Sequence, residues 1–302
     1  MFEALLLLVV GLNLSVDFMD RRAALQSAPN ALSLWTTIVQ FLLVVPLAGL
    51  TSRLTALQLA LCMVVGALSS LARIPWYRAL SIPGEKLSRL APFTRLSSVI
   101  ALVAGFLLLG ESFSFGTFIG GLIVIAGAVV MTLPPKRINF TDYVSANKAV
   151  LLVILVASSS AAISIFHKYL LNAGVSIISA YFYLKLFQFV FLVLHAGRNA
   201  YLWPSLSAIS NFPLFVQARV IQTAAALLYL LVLREVDLSK VAPITAGVQP
   251  LMFLAVEKIM EASTKKEAGK EQAVAKRGSV NAGMRYGGLA VTAVGLFILA
   301  GG

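Results

Sequence analysis

Long uncharged apolar runs recur along this chain and leave it few folds to choose from. Ala23–Ser52, Leu54–Ala72, Ser112–Pro135 and Ala149–Phe166 contain no Asp, Glu, Lys or Arg. A helix that crosses a bilayer needs about 20 mainly apolar residues, and each of these runs supplies them or comes close. Soluble domains carry about 25% charged residues. Here 12% of 302 residues are charged and 59% are hydrophobic. So few charges cannot cover a globule of this size with solvated groups. The expected class is an all-α polytopic protein, integral to a membrane.

Composition also excludes several functions. The balance of 24 Lys+Arg against 12 Asp+Glu gives +12, a value that by itself would suit nucleic acid. The chain is built of apolar runs, however, and lacks the extended basic solvent face that a nucleic-acid partner requires. One cysteine, Cys62, rules out an intramolecular disulfide framework, and with two histidines in the whole chain no metal or haem site is expected. No Gly-x-x-x-x-Gly-Lys-Ser/Thr run or nucleophile elbow occurs. The chain is therefore expected to be neither an ATP-driven pump nor an enzyme, and to need no cofactor. Met1-Phe2-Glu3 lacks the basic start of a cleaved leader, so the first helix is expected to remain in the mature protein.

Allowing charges near helix ends to snorkel, the runs resolve into ten expected helices: 3–21, 28–50, 56–80, 87–110, 114–133, 148–171, 176–196, 212–233, 240–260 and 285–301. Short turn-forming breaks separate most of them, such as Ser81-Ile82-Pro83-Gly84 and Asn172-Ala173-Gly174. The longest break, 261–284, is a charged loop that either binds anionic headgroups or is simply solvated.

The chain repeats itself. Ser88-Arg89-Leu90-Ala91-Pro92-Phe93-Thr94 is echoed by Ser239-Lys240-Val241-Ala242-Pro243-Ile244-Thr245, and the Gly120/Gly127 pair by Gly288/Gly295. Each echo falls in matching helices of two halves, 1–135 and 146–302. A duplicated unit with an odd number of spans inserts upside down. Two inverted five-helix repeats of this kind are common in secondary transporters, whose substrate site lies at the repeat interface. A purely structural repeat, as in a channel or scaffold, is the competing reading.

Leu109-Gly110-Glu111 followed by Gly120 and Gly127, the Ala-Pro near the start of each fourth helix and the helix count together resemble the drug/metabolite transporter superfamily, EamA-like branch. The resemblance implies ten transmembrane helices in two inverted repeats around a central cavity, working by alternating access. It departs in the second half, where no Leu-Gly precedes Glu261 and extra residues separate it from Gly288. Pro250 matches the proline that the family often carries inside the fourth helix of a half, whereas the first half has Val99 there. None of the Asn-Lys motifs of the sugar-nucleotide branch is seen, and no Lys-Arg pair stands where the plastid phosphate translocators carry one.

Charges inside hydrocarbon cost at least about 2.5–3.5 kcal/mol and so face a cavity or a partner. Asp17, Arg73, Arg95, Lys185 and Arg219 lie within the expected helices. Helical spacing groups Asn13, Asp17 and Asp20; Ser69, Arg73 and Trp76; Ser88, Pro92 and Arg95; Tyr181, Lys185 and Gln188; and Arg219 with Gln222. The functional reading is a basic cavity for an anionic or zwitterionic substrate. Arg95, Lys185, Arg73 and Arg219 would supply charge, with Asp17 pairing or binding a proton. Trp76, Tyr181, Gln188 and Gln222 would line the walls. Structural ion pairs and snorkelling groups are the competing reading. His167, beside Lys168 near a helix end, is expected at the interface.

Loops after the odd-numbered helices carry most Lys and Arg, which by charge bias puts both termini outside. The resemblance implies the opposite, cytoplasmic termini, and that orientation is the one expected. The sum is a secondary transporter of a small polar, anionic or zwitterionic metabolite, expected to export it, as a monomer or homodimer in a bacterial inner membrane. A flippase for a lipid with a charged phosphate headgroup is the alternative. A scaffold without substrate would need a dry, apolar repeat interface.

Overall fold

A computed structural model of the chain describes residues 2–82, 94, 96–111, 115–130, 148–198, 209–248, 252, 291–292 and 294–295. The elements are α1 (Phe2–Gln26), α2 (Pro29–Val44), a 3-10 turn (Val45–Leu50), α3 (Ala56–Leu80), α4 (Leu96–Leu108), α5 (Phe115–Val130), α6 (Lys148–Asn172), α7 (Ile177–Arg198) and α8 (Phe212–Glu235). Residues 238–248 form a further helix, α9. No strand occurs among the described residues. Among the described residues five segments are long and apolar enough to cross a bilayer: Pro29–Leu50, Ala56–Leu80, Val150–Asn172, Ile177–His195 and Phe212–Glu235. Among the described residues the fold is all-helical, and the protein is membrane-embedded. The expected helices over 87–110, 240–260 and 285–301 lie partly outside the described residues, as does the whole 261–284 loop.

Local chemistry sets the ends. Pro29 sits in the first turn of α2, where its missing N–H is not needed. The sequence suggests one continuous helix over 28–50. Instead the α-helix stops at Val44 and tightens into the 3-10 turn, because Pro46 cannot donate to the carbonyl four residues back. The start of α3 is a capping box: Thr55 Oγ1 accepts from the Gln58 N–H at 3.3 Å, and Gln58 Oε1 accepts from the Thr55 N–H at 3.0 Å. Beyond α6, Gly174 takes φ +80°, the left-handed conformation that glycine tolerates after a helix C-terminus. The sequence break at Asn172-Ala173-Gly174 falls there. Asn211 begins α8 by accepting from the Leu214 N–H at 3.3 Å.

The bundle is apolar outside and polar within. Leu42, Leu71 and Leu107 are 62%, 64% and 77% exposed, while Arg219 is 0% exposed. Water would select the reverse; hydrocarbon selects this. Inside, α3 packs along α6 and α7, α1 along α8, α2 along α7, and α4 along α6.

Hydrocarbon offers no hydrophobic drive between helices, so close approach through small residues matters. A β-carbon on Gly66 would lie 2.6 Å from Phe187 Cβ and 2.8 Å from the Gln188 nitrogen. At the next turn the Ser70 hydroxyl lies 2.9 Å from the Gly66 carbonyl and 2.8 Å from the Gln188 carbonyl. The Gly295 position is equally tight, 2.7 Å from the Val124 nitrogen and 3.0 Å from the Gly120 carbonyl.

Three side chains tie helix ends together. Arg21 of α1 donates to the Leu80 and Ile82 carbonyls where α3 ends. Lys168 of α6 donates to the Leu233 and Val236 carbonyls, at 2.7 and 3.0 Å, where α8 ends. Both place a cation on the negative end of a helix. Glu111 does the converse at the start of α9, accepting from the Leu238 N–H at 2.7 Å and the Ser239 N–H at 2.8 Å. The Glu111 carboxylate thus bonds to orphan donors of a first helical turn.

Gly66→Ala should destabilise the protein by about 1–3 kcal/mol, the usual range for overpacking, because the atoms it meets include backbone. Gly49→Ala, with nothing within 4 Å of the new carbon, should leave stability unchanged. Unfolding midpoints of the two variants in the same detergent test this contrast.

Candidate functional site

A cavity of about 480 Å³ opens between α1, α3, α4, α6, α7, α8 and α9, within the range of small-molecule sites, about 300–1,000 Å³. Its wall holds Asp17, Arg73, Trp76, Tyr181, Lys185, Gln188 and Gln222. Seven of the nine sequence candidates therefore meet around one space. Arg219 stands behind the wall, bonded to the lining residue Gln222. Arg95 lies outside the described residues. Asp20, His167, Ser98 and Thr245 also line the cavity.

An ion pair and its hydrogen-bonded shell back one side of the cavity. Arg219 of α8 donates to the Asp20 carboxylate of α1. The same guanidinium reaches the Tyr77 hydroxyl at 2.9 Å, Thr36 Oγ1 at 3.3 Å and Gln222 Oε1 at 2.7 Å. Tyr77 also reaches Asp20 at 3.3 Å and lies 2.8 Å from Thr36 Oγ1. Asp20 and Arg219 neutralise each other in a place where either alone would be costly.

A chain of amides leads outward. Gln40 Nε2 donates to Gln222 Oε1 at 2.7 Å. Its other end, Oε1, accepts from Arg73 at 2.6 Å and from Lys185 Nζ at 2.8 Å. Gln188 Oε1 accepts from the same two cations at longer range, 3.3 and 3.1 Å. Lys185 Nζ also sits 5.2 Å from the centre of the Tyr181 ring, within cation–π range. The ion pairs among the described residues are Arg219–Asp20 and the exposed Arg234–Glu235. Arg73 and Lys185, which line the cavity, are thus held by neutral amide oxygens. Amides orient a cation without cancelling its charge.

Two sequence readings change. His167 is not interfacial: it is 8% exposed, lines the cavity, and its Nε2 has no hydrogen-bond partner among the described residues. The polar groups that Lys168 meets at the end of α8 draw the adjacent turn of α6 into the bundle. Arg219, expected to supply charge to the cavity, is the largest fully buried side chain described and stands behind the wall. Sequence reasoning also passed over Gln40 and Thr36. Their signal was that Thr36 and Gln40, among the few polar residues of α2, lie four residues apart and so share one face of the helix.

Asp20→Asn leaves Arg219 buried without its counter-charge, a loss of about 3–5 kcal/mol for a broken buried pair. Adding Arg219→Met should recover most of that loss. Unfolding midpoints of the single and double variants measure both effects, and wild-type stability in Asp20→Asn would mean the pair is not what holds α1 to α8.

No protein-family model matches the chain, and no curated protein sequence matches it. Solved structures, 28 chains among them, resemble it in fold. One, described as "Crystal structure of protein", is 15% identical and aligns over 96% of this chain and 96% of its own, with a TM-score of 0.61. The likeness is one of fold.

Proposed function

We propose that the protein is a secondary transporter for a small anionic or zwitterionic metabolite, working by alternating access. One observation carries this reading: a cavity of about 480 Å³ in a membrane-embedded bundle, faced by Arg73 and Lys185, with amide oxygens holding both cations. A cation set in a low-dielectric wall attracts an anion strongly, and the paired forms offer both a planar fork and a point charge. Trp76 and Tyr181 on the same wall give an organic substrate apolar surface.

The reading includes ten helices in two inverted five-helix repeats, and helix packing supports it. Shifting each helix by five exchanges the α1–α8 contact with the α6–α3 contact and returns α2–α7 to itself. The end ties obey the same exchange. Arg21 of α1 holds the end of α3, and Lys168 of α6 holds the end of α8. A duplicated unit explains two chemically equivalent ties that no sequence echo marks. Gly295 against Gly120 joins the two glycine echoes at one crossing. This arrangement is also what the resemblance to the EamA-like drug/metabolite transporters implies, with outward transport across a bacterial inner membrane as the working direction.

Proteoliposomes given labelled amino acids, organic acids and sugar phosphates test the reading. Wild type should accumulate at least one anionic or zwitterionic compound. Arg73→Ala and Lys185→Ala should each weaken its binding about ten- to a hundredfold, as expected for a lost hydrogen bond to a charged group. Wild-type transport in both folded variants would overturn the site. Stabilisation by phosphate-headed lipids with no soluble substrate would replace the transporter with the flippase.

A further inference from the structure

The two amides that hold Arg73 and Lys185 are not equivalent. Gln40 makes the shorter bonds, 2.6 and 2.8 Å, and its side chain is fixed at the other end by the 2.7 Å bond to Gln222. Gln40 is not part of the cavity wall; it backs the cations from α2. Gln188 is part of the wall, and its bonds to the same two cations are the longer ones, 3.3 and 3.1 Å. Its Oε1 is one oxygen shared between a guanidinium and an ammonium, on the side from which a solute would approach. That is the place and the bonding pattern of an oxygen of a carboxylate or phosphate.

We infer that the Gln188 side-chain amide is a displaceable stand-in for the substrate: an oxyanion takes the place of its Oε1 between Arg73 and Lys185, while Gln40 keeps both cations in position. This rests on the transporter reading and narrows it to solutes that carry a carboxylate or phosphate group. It also gives Gln188 a role opposite to that of a substrate ligand. The amide competes with the anion, accepting from both cations when no anion is bound. Exchanging a neutral acceptor for an ionised one strengthens both bonds, because each cation then meets a full opposite charge in a low-dielectric wall. The exchange therefore favours the anion without requiring the helices to move first. The bond between the Gln188 carbonyl and Ser70 involves the main chain, so the helix crossing survives when the side chain changes.

The test is binding of inorganic phosphate and of succinate to the full chain in detergent, by calorimetry, with unfolding midpoints recorded alongside. Removing the competitor in Gln188→Ala should tighten binding of at least one of these anions about three- to tenfold, the worth of a typical hydrogen bond. Gln188→Glu, close in shape, should weaken it about tenfold or more by placing a permanent carboxylate on the pair. Gln40→Ala should also weaken it, since the anchor is lost. Repeating the titration with phosphatidic acid in nanodiscs separates a lipid headgroup from a free anion, with the same ordering of variants expected. Unchanged or weaker binding in Gln188→Ala, with wild type binding normally, overturns the inference and leaves the transporter reading standing. Failure of wild type and Gln188→Ala alike to bind any of the three probes overturns the oxyanion site and the inference together.

Discussion

Arg219 is wholly buried in a protein whose surroundings are hydrocarbon, and the placement of its charge governs much of the bundle. Bringing a guanidinium to that position requires a carboxylate in contact, and Asp20 supplies it from 199 residues earlier in the chain. The pair fixes α1 against α8. Tyr77 of α3 and Thr36 of α2 fill the remaining hydrogen-bonding capacity, so four helices meet on one ion pair. A half-satisfied network at this depth would cost more than an apolar core. The polar shell is therefore a condition of the ion pair rather than an addition to it.

From this neutral centre the chemistry changes character toward the cavity. Gln222 takes one donor from Arg219 and one from Gln40, and Gln40 turns its carbonyl oxygen toward Arg73 and Lys185. A carboxylate at position 40 would have completed two ion pairs and closed the site to anions. An aliphatic residue would have left two cations to repel each other without a common acceptor. Glutamine does neither: it presents an acceptor to the cations and a donor to Gln222. The result is a graded wall, neutral at its base and positive where it meets open space.

The sequence made much of this visible because charge is rare in it. With so few ionisable residues in apolar runs, Arg73 and Lys185 stood out, and helical spacing placed Trp76, Tyr181 and Gln188 beside them; all five line the cavity. Long apolar runs likewise revealed the α-helices. Two things were harder to see. Asp17 and Asp20 share a face of α1, and no local signal says that Arg219 pairs with Asp20, since that depends on how α1 and α8 pack. Gln40 and Thr36 are uncharged and carry no motif. Their importance lies in which cations α3, α7 and α8 bring to them. The 3-10 turn after Val44 was a different kind of omission, because Pro46 marked it and the apolar run around it hid the mark.

Helix packing and site chemistry are also linked through the smallest side chains. Gly66 lets α7 approach α3 until the Gln188 nitrogen would meet any β-carbon at that position. One turn further along, Ser70 binds the Gln188 carbonyl, and the next polar residue on that face of α3 is Arg73. The close crossing is therefore what brings the Arg73 guanidinium within hydrogen-bonding distance of Gln188, on an oxygen that it shares with Lys185. A bulkier residue at position 66 would separate α3 from α7 and divide the cation pair between two walls. Hydrocarbon gives the helices little reason to approach closely except van der Waals contact and interhelical hydrogen bonds. In this bundle the same contacts that hold two helices together also set the spacing of two charges, so the geometry of the site follows from the packing that surrounds it.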